Sequence, residues 1–280
     1  MTYRIATVPY LDAWPLVDAL EELASGRVRM TLAAPSVLPE LLHADEADAA
    51  LIPVIECFRG AGSGLVPGVG LATGSRAAGA KLFSRVSPTE IRHVVVDRAS
   101  RVSVALLRIL FADLYGVQPD FMVLEPRVET LLDDHEAALV VGDRAFAAEG
   151  RFREEGREDV HVVDLGETWR QMTGLPFVYA VWALGRRVAD EERAALVDLF
   201  TRARDLGLSR CDALAARAAA EGRLGPGGVC SADVIRDFFT DSVCYVLGDR
   251  EMAGLRRFHE LCVRHAICST GRGVDPDARP

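Results

Sequence analysis

The sequence predicts an α/β protein of two lobes joined by two crossing strands, with helices following at the C-terminal end. Three observations predict it. Strand-like apolar runs alternate with helix-like segments up to residue 184, the pattern of a mostly parallel sheet flanked by helices. From Ala189 onward the pattern is helical, apart from a Gly-Pro-Gly-Gly break at 225–228. Two apolar runs, 80–84 and 177–184, bracket a second α/β unit over 91–163 and separate it from a first over 1–70. This places lobe one at 1–84 with 179–280, and lobe two at 85–178. A cleft between lobes follows, and such clefts are favoured ligand sites.

The elements are read in chain order. Tyr3–Val8 is a β-rich run ended by Pro9. Trp14–Ala24 is a helix with Asp12 as its N-cap and Pro15 in its first turn. Val28–Ala33 is a strand, and Ser36–His43 is a helix with Glu40 near its first turn. Asp48–Val54 is a strand interrupted by Pro53. Residues 60–70 (GAGSGLVPGVG) are Gly-rich and lack the lysine of a phosphate loop, so they read as an irregular connection.

Lys81–Ser84 and Ile91–Val96 are strands. Ser100–Tyr115 is an amphipathic helix with Val104, Leu107, Leu110, Phe111 and Leu114 on its apolar face. Phe121–Leu124 is a strand, Val128–Asp134 a helix, and Ala137–Val141 and Val160–Val163 are strands. Phe177–Leu184 (FVYAVWAL) is apolar without alternation, the mark of a strand buried on both faces. The tail 269–280 is polar and reads as loose.

Composition narrows the function classes. Half of the 280 residues are hydrophobic and the net charge is −9, with no basic stripe, so nucleic acid is not expected as a partner. No apolar run approaches the length of a membrane span, and the N-terminus lacks the pattern of a signal peptide. The six cysteines form no CxxC pair and read as reduced thiols of a cytoplasmic protein. The six histidines are scattered, and no set has metal-ligand spacing.

Four places could carry chemistry. Asp97-Arg98-Ala99-Ser100-Arg101-Val102-Ser103 joins a strand to a helix. Free N–H groups at the helix start, two hydroxyls and two arginines would attract a carboxylate or phosphate, although the same residues also suit a plain capped helix. Asp12 and Asp143 follow the ends of strands, where either could serve a ligand or simply cap a turn. Thr173-Gly174-Leu175-Pro176-Phe177 is a tight turn feeding the apolar strand, and turns at strand ends near a sheet centre are where ligands sit in α/β proteins.

Residues 4–16 (RIATVPYLDAWPL), 47–56 (ADAALIPVIE), 97–106 (DRASRVSVAL), 142–146 (GDRAF) and 164–183 (DLGETWRQMTGLPFVYAVWA) resemble, in order and spacing, the successive motifs of the menaquinone-biosynthesis family of the futalosine route, in its chorismate dehydratase branch. The resemblance implies the type II periplasmic-binding-protein fold used as a cytoplasmic enzyme. It implies that chorismate loses water to give 3-(1-carboxyvinyloxy)benzoate, a carbon–oxygen lyase reaction driven by aromatisation and needing no cofactor or metal. The implied partner is a small-molecule carboxylate. Asp12 would orient substrate or take the proton, unless the substrate's own enolpyruvyl carboxylate is the base. Ser100, Arg101, Val102 and Ser103 would hold a carboxylate, with Gly79, Lys81 and Asp143 also at the site. Thr173, Gly174, Leu175, Pro176 and Phe177 would wall the ring.

The family usually carries Asn where Asp12 stands, Ser where Gly79 stands, and Ser or Thr where Val102 stands. An aspartate beside a carboxylate ligand either takes up a proton or weakens binding. Lys81, two residues from Gly79 on the same strand face, would either balance that charge or sit solvated at the cleft rim. A relative acting on another cyclic carboxylic acid, and a cytoplasmic small-anion binding protein without catalysis, are the alternatives.

Overall fold

A computed structural model of the chain describes residues 2–75, 79–124, 132, 135–223 and 231–269, without the side chains of residues 143, 146, 147, 153 and 154. The expected helix at 128–134, the break at 225–228 and the tail beyond 269 therefore lie outside the described residues, Leu132 excepted.

The strands are β1 (Tyr3–Thr7), β2 (Val28–Leu32), β3 (Ala49–Pro53), β4 (Gly64–Thr73), β5 (Ala80–Ser84), β6 (His93–Val96), β7 (Asp120–Val123), β8 (Ala137–Val141), β9 (His161–Asp164), β10 (Val178–Leu184) and β11 (Val243–Val246). They form a six-stranded sheet, order β11-β4-β10-β3-β1-β2, and a five-stranded sheet, order β7-β6-β8-β5-β9. The helices are α1 (Trp14–Val17), α2 (Leu20–Leu23), α3 (Leu38–His43), α4 (Val54–Phe58), α5 (Arg101–Leu110), α6 (Asp143–Glu154), α7 (Leu165–Thr173), α8 (Asp190–Ser209), α9 (Cys211–Ala220), α10 (Ala232–Asp237) and α11 (Asp249–Arg264).

The chain leaves the first sheet after β4 and returns to it at β10, so two connections cross between the sheets. Both sheets are mixed, not mostly parallel. β1 pairs in parallel with β2 and β3, whereas β10 runs antiparallel to β3 and β4, and β5 antiparallel to β8 and β9. β10, entering after the second crossing, runs against both of its neighbours. Strand 80–84, expected in lobe one, pairs among the described residues with the second-sheet strands β8 and β9, which moves that boundary before residue 80.

β10 sits between β4 and β3, and Val178, Val181, Trp182, Ala183 and Leu184 are buried. That is the place its unbroken apolar run calls for. The Gly-rich stretch read as a connection is instead largely β4, whose valines and leucines are buried despite the glycines between them. β11 (VCYV) interrupts a region expected to be wholly helical. Leu114, assigned to the apolar face of the long helix, is exposed, because Phe111–Tyr115 is a π-helical turn that shifts the 3.6-residue phase.

The second crossing is pinned by aromatic packing. Phe177 is fully buried and meets Trp169, Tyr179 and Phe258 edge to face at centroid distances of 5.4, 4.8 and 4.8 Å. Each such pair contributes about 0.5–1.5 kcal/mol beyond burial. Gly174 ends α7 in the left-handed region at φ 72°, and its carbonyl accepts from Arg250 Nη2 at 3.1 Å.

Candidate functional site

A cleft of about 110 Å³ lies between the two sheets. Its lining comes from the ends of β1, β3, β4 and β10 of the first sheet, from the start of α5, and from the β8–α6 junction. Of the expected site residues, Asp12, Gly79, Ser100, Val102 and Ser103 line it. Gly142 also lines it, while the side chain of Asp143 lies outside the described residues.

Ser100 occupies the N-cap position of α5, yet its side chain makes no capping hydrogen bond. Its hydroxyl is buried, the residue being 3% exposed, and has no hydrogen-bond partner among the described residues. The loop holds its shape by other means. Asp97 Oδ1 accepts from Ala99 N at 2.7 Å, and Ser100 N donates to Asp97 O at 3.1 Å. The cap residue is thereby left free to serve a ligand. Val102 and Ser103 occupy the second and third helical positions, whose N–H groups have no acceptor within the helix. The start of α5 thus offers amides, a buried hydroxyl and the positive end of the helix dipole to an anion.

Asp12 is not a helix cap: it lies inside a 3-10 turn, Leu11–Ala13, ahead of α1. It is the one charged side chain among the described residues lining the cleft. Behind it stands Tyr245, whose phenol is pushed well up by burial and further by the Asp12 carboxylate. The hydroxyl therefore keeps its proton across the working pH range.

Tyr179 and Thr73 are cleft residues that sequence reasoning did not single out. Tyr179 is one of two large aromatics within the apolar run, and composition alone marks it as core. Its phenol is also raised, first by burial and then by Asp164, so it too remains a donor. Thr73 Oγ1 donates to the Phe177 carbonyl at 3.3 Å, tying the first crossing to the second. Gly79 faces the Tyr179 ring: a Cβ there would stand 3.6 Å away, an ordinary contact.

Three expectations are corrected. Lys81 does not reach the cleft. It is buried, its ammonium bonded to Glu149 and 4.0 Å from Asp164 Oδ2, so it neutralises carboxylates behind the cleft wall. Burial holds the Asp164 carboxyl above its usual range while Lys81 opposes the shift. Arg101 points away from the cleft and pairs with Glu56 at 3.2 Å. Thr173, Gly174, Leu175, Pro176 and Phe177 do not line the cleft either. They cap α7 and form the second crossing: Thr173 Oγ1 donates to Trp169 O at 2.8 Å, and Pro176 O accepts from Trp169 Nε1 at 3.3 Å.

A family model described as menaquinone biosynthesis matches residues 3–264. Chorismate dehydratase from Thermus thermophilus is 32% identical over 193 residues, covering 65% of this chain and 70% of that protein. Among solved structures, a protein from Archaeoglobus fulgidus aligns with a TM-score of 0.74 at 14% identity, covering 95% of this chain and 98% of the other. The periplasmic aliphatic sulphonate binding protein SsuA from Escherichia coli aligns with a TM-score of 0.65 at 16% identity, covering 99% and 91%. The structural likenesses establish a periplasmic-binding-protein-like fold. No described helix is long and apolar enough to cross a membrane.

Proposed function

The chain belongs to the menaquinone biosynthesis family, and on that premise we propose that it dehydrates chorismate to 3-(1-carboxyvinyloxy)benzoate in the cleft between its sheets. The observation that carries this reading is the Ser100 hydroxyl: buried, without a partner among the described residues, and placed at a helix start that lines the cleft. A carboxylate of the substrate satisfies it, together with the N–H groups of Val102 and Ser103. The cleft offers no lysine or arginine side chain among its described lining. Specificity for the dianion then rests on neutral donors, namely Ser100, Ser103 and the phenol of Tyr179.

The reaction asks little of the protein. The bond from ring carbon 3 to hydrogen breaks, its electron pair becomes the carbon 3–carbon 4 double bond, and the carbon 4–oxygen bond breaks. The hydroxide takes up a proton and leaves as water. Aromatisation supplies the driving force, so positioning and one proton acceptor suffice. Asp12 is the protein group assigned to that proton. The two sheets, with the described elements packed on each, act as two lobes that close on the substrate.

Two experiments test the assignment. Asp12→Asn removes the base while keeping size and hydrogen bonding, and should lower kcat on chorismate by at least about a hundredfold. Unchanged or faster turnover would transfer the proton to the substrate's enolpyruvyl carboxylate and leave Asp12 an orienting group. Chorismate that raises the melting temperature of the wild-type protein but is never consumed would replace the enzyme reading with a binding protein.

A further inference from the structure

On the side of α5 turned away from the cleft runs a second, larger groove of about 710 Å³. It is bounded by Asp97 and Arg98 of the loop before α5, by α5 itself, by β7, and by Arg59 and residues 265–267 following α4 and α11. Four arginines line it, Arg59, Arg98, Arg101 and Arg108, against one carboxylate, Asp97. This is a local reversal in a chain with 41 acidic and 32 basic residues.

The pairing within the groove leaves positive charge over. Arg59 and Arg101 share a single buried partner, Glu56, at 2.8 and 3.2 Å. Asp97 lies 3.7 Å from Arg144. Arg108 stacks on the Phe121 ring at 4.4 Å and makes no ion pair among the described residues, and Arg98 makes neither an ion pair nor a hydrogen bond there. Beneath the guanidinium groups the groove is apolar, with Val104, Phe111, Val117, Phe121 and Ile267.

We propose that this groove is a second binding site, for a small organic anion that carries a phosphate or carboxylate on a flat apolar body. Arg98 and Arg108 take the anionic group, and the Phe121 and Val104 surface takes the body. Guanidinium forks match oxyanion geometry, and an aromatic-backed arginine is already held in place for it. The site stands apart from the cleft because Arg101, Val104 and Arg108 follow one helical stripe of α5, while Ser100, Val102 and Ser103 face the other way. The inference does not depend on chorismate being the cleft ligand.

Calorimetric titration of the full chain tests it with four probes: phenyl phosphate, benzoate, inorganic phosphate and phenol. Phenyl phosphate should bind saturably and weaken as salt is raised, and benzoate should compete with it. Phenol and inorganic phosphate should each bind at least about tenfold more weakly, since each lacks one half of the recognition. The variant Arg98→Gln/Arg108→Gln should weaken phenyl phosphate by at least about tenfold with its melting temperature unchanged, both side chains being exposed. Ser100→Ala should bind the probe as the wild type does. The proposal is overturned if phenyl phosphate shows no saturation, if the double variant binds it equally well, if Ser100→Ala abolishes it, or if phenol or inorganic phosphate binds as tightly.

Discussion

Ser100 and Arg101 are adjacent in the chain and serve opposite sides of one helix: the Ser100 hydroxyl is buried at the cleft without a partner among the described residues, while the Arg101 guanidinium reaches Glu56 at 3.2 Å. The helix start that lines the cleft is therefore held from behind by an ion pair, and its cleft-facing hydroxyl has no partner among the described residues. A buried hydroxyl that bonds nothing costs stability in the free protein. Ser100→Ala should accordingly unfold at the same temperature or slightly higher, yet bind chorismate about tenfold more weakly, the loss of roughly one hydrogen bond to a charged group. Thermal melts and a ligand titration on the same variant check both halves. A drop in stability with unchanged affinity would make Ser100 structural.

Lys81 and Asp164 give a prediction in pH. Burial raises the Asp164 carboxyl in the folded state, so between its unfolded and folded values the native protein holds the extra proton. Stability is then greatest below that window and declines as pH rises through it. Lys81→Met removes the cation that opposes the shift and leaves Glu149 and Asp164 without it. The variant should lose about 2 kcal/mol near neutral pH, with the deficit shrinking as the pH is lowered toward the carboxylate range. Urea unfolding at about pH 5 and about pH 8 measures it, and an equal deficit at both would contradict the account.

Gly254 sets packing against propensity. In the interior of α11, alanine would normally be worth about 1 kcal/mol over glycine. Here its Cβ would stand 2.0 Å from the Pro176 carbonyl, which is backbone and cannot rotate aside. Gly254→Ala should therefore be destabilised by about 2 kcal/mol or more, lowering the melting temperature by roughly 5 °C. Stabilisation would show that α11 does not rest on the second crossing.

Gly79 has no such constraint. A Cβ there meets the Tyr179 ring at 3.6 Å, so Gly79→Ser should fold with a melting temperature within about 2 °C of the wild type. The added hydroxyl brings a neutral donor into the cleft and should lower KM for chorismate by about three- to tenfold. A raised KM would place the substrate in van der Waals contact with the glycine.

The fold was legible wherever burial writes a simple pattern. Phe177–Leu184 announces a central strand because both of its faces are covered, and the alternation of strands and helices announces an α/β protein. β4 was not legible, because its burial is carried by residues spaced among glycines and a proline, which local propensity reads as turn. β11 is four residues long and joins the sheet through tertiary pairing alone. At the cleft, residues near strand ends and at the helix start line the wall as expected, because their position follows from local chain pattern. Lys81, Arg101 and 173–177 were misplaced because a side chain's direction depends on partners distant in sequence: Glu149, Glu56 and Phe258. Tyr179 was missed because a cleft wall and a core share one composition.

The most direct test of the dehydration itself uses chorismate deuterated at ring carbon 3. Incubation with the protein should yield an aromatic product whose mass is that of the substrate less one HDO, with no deuterium retained. Unchanged chorismate, or a product that keeps the label, would contradict the reaction assigned to the cleft.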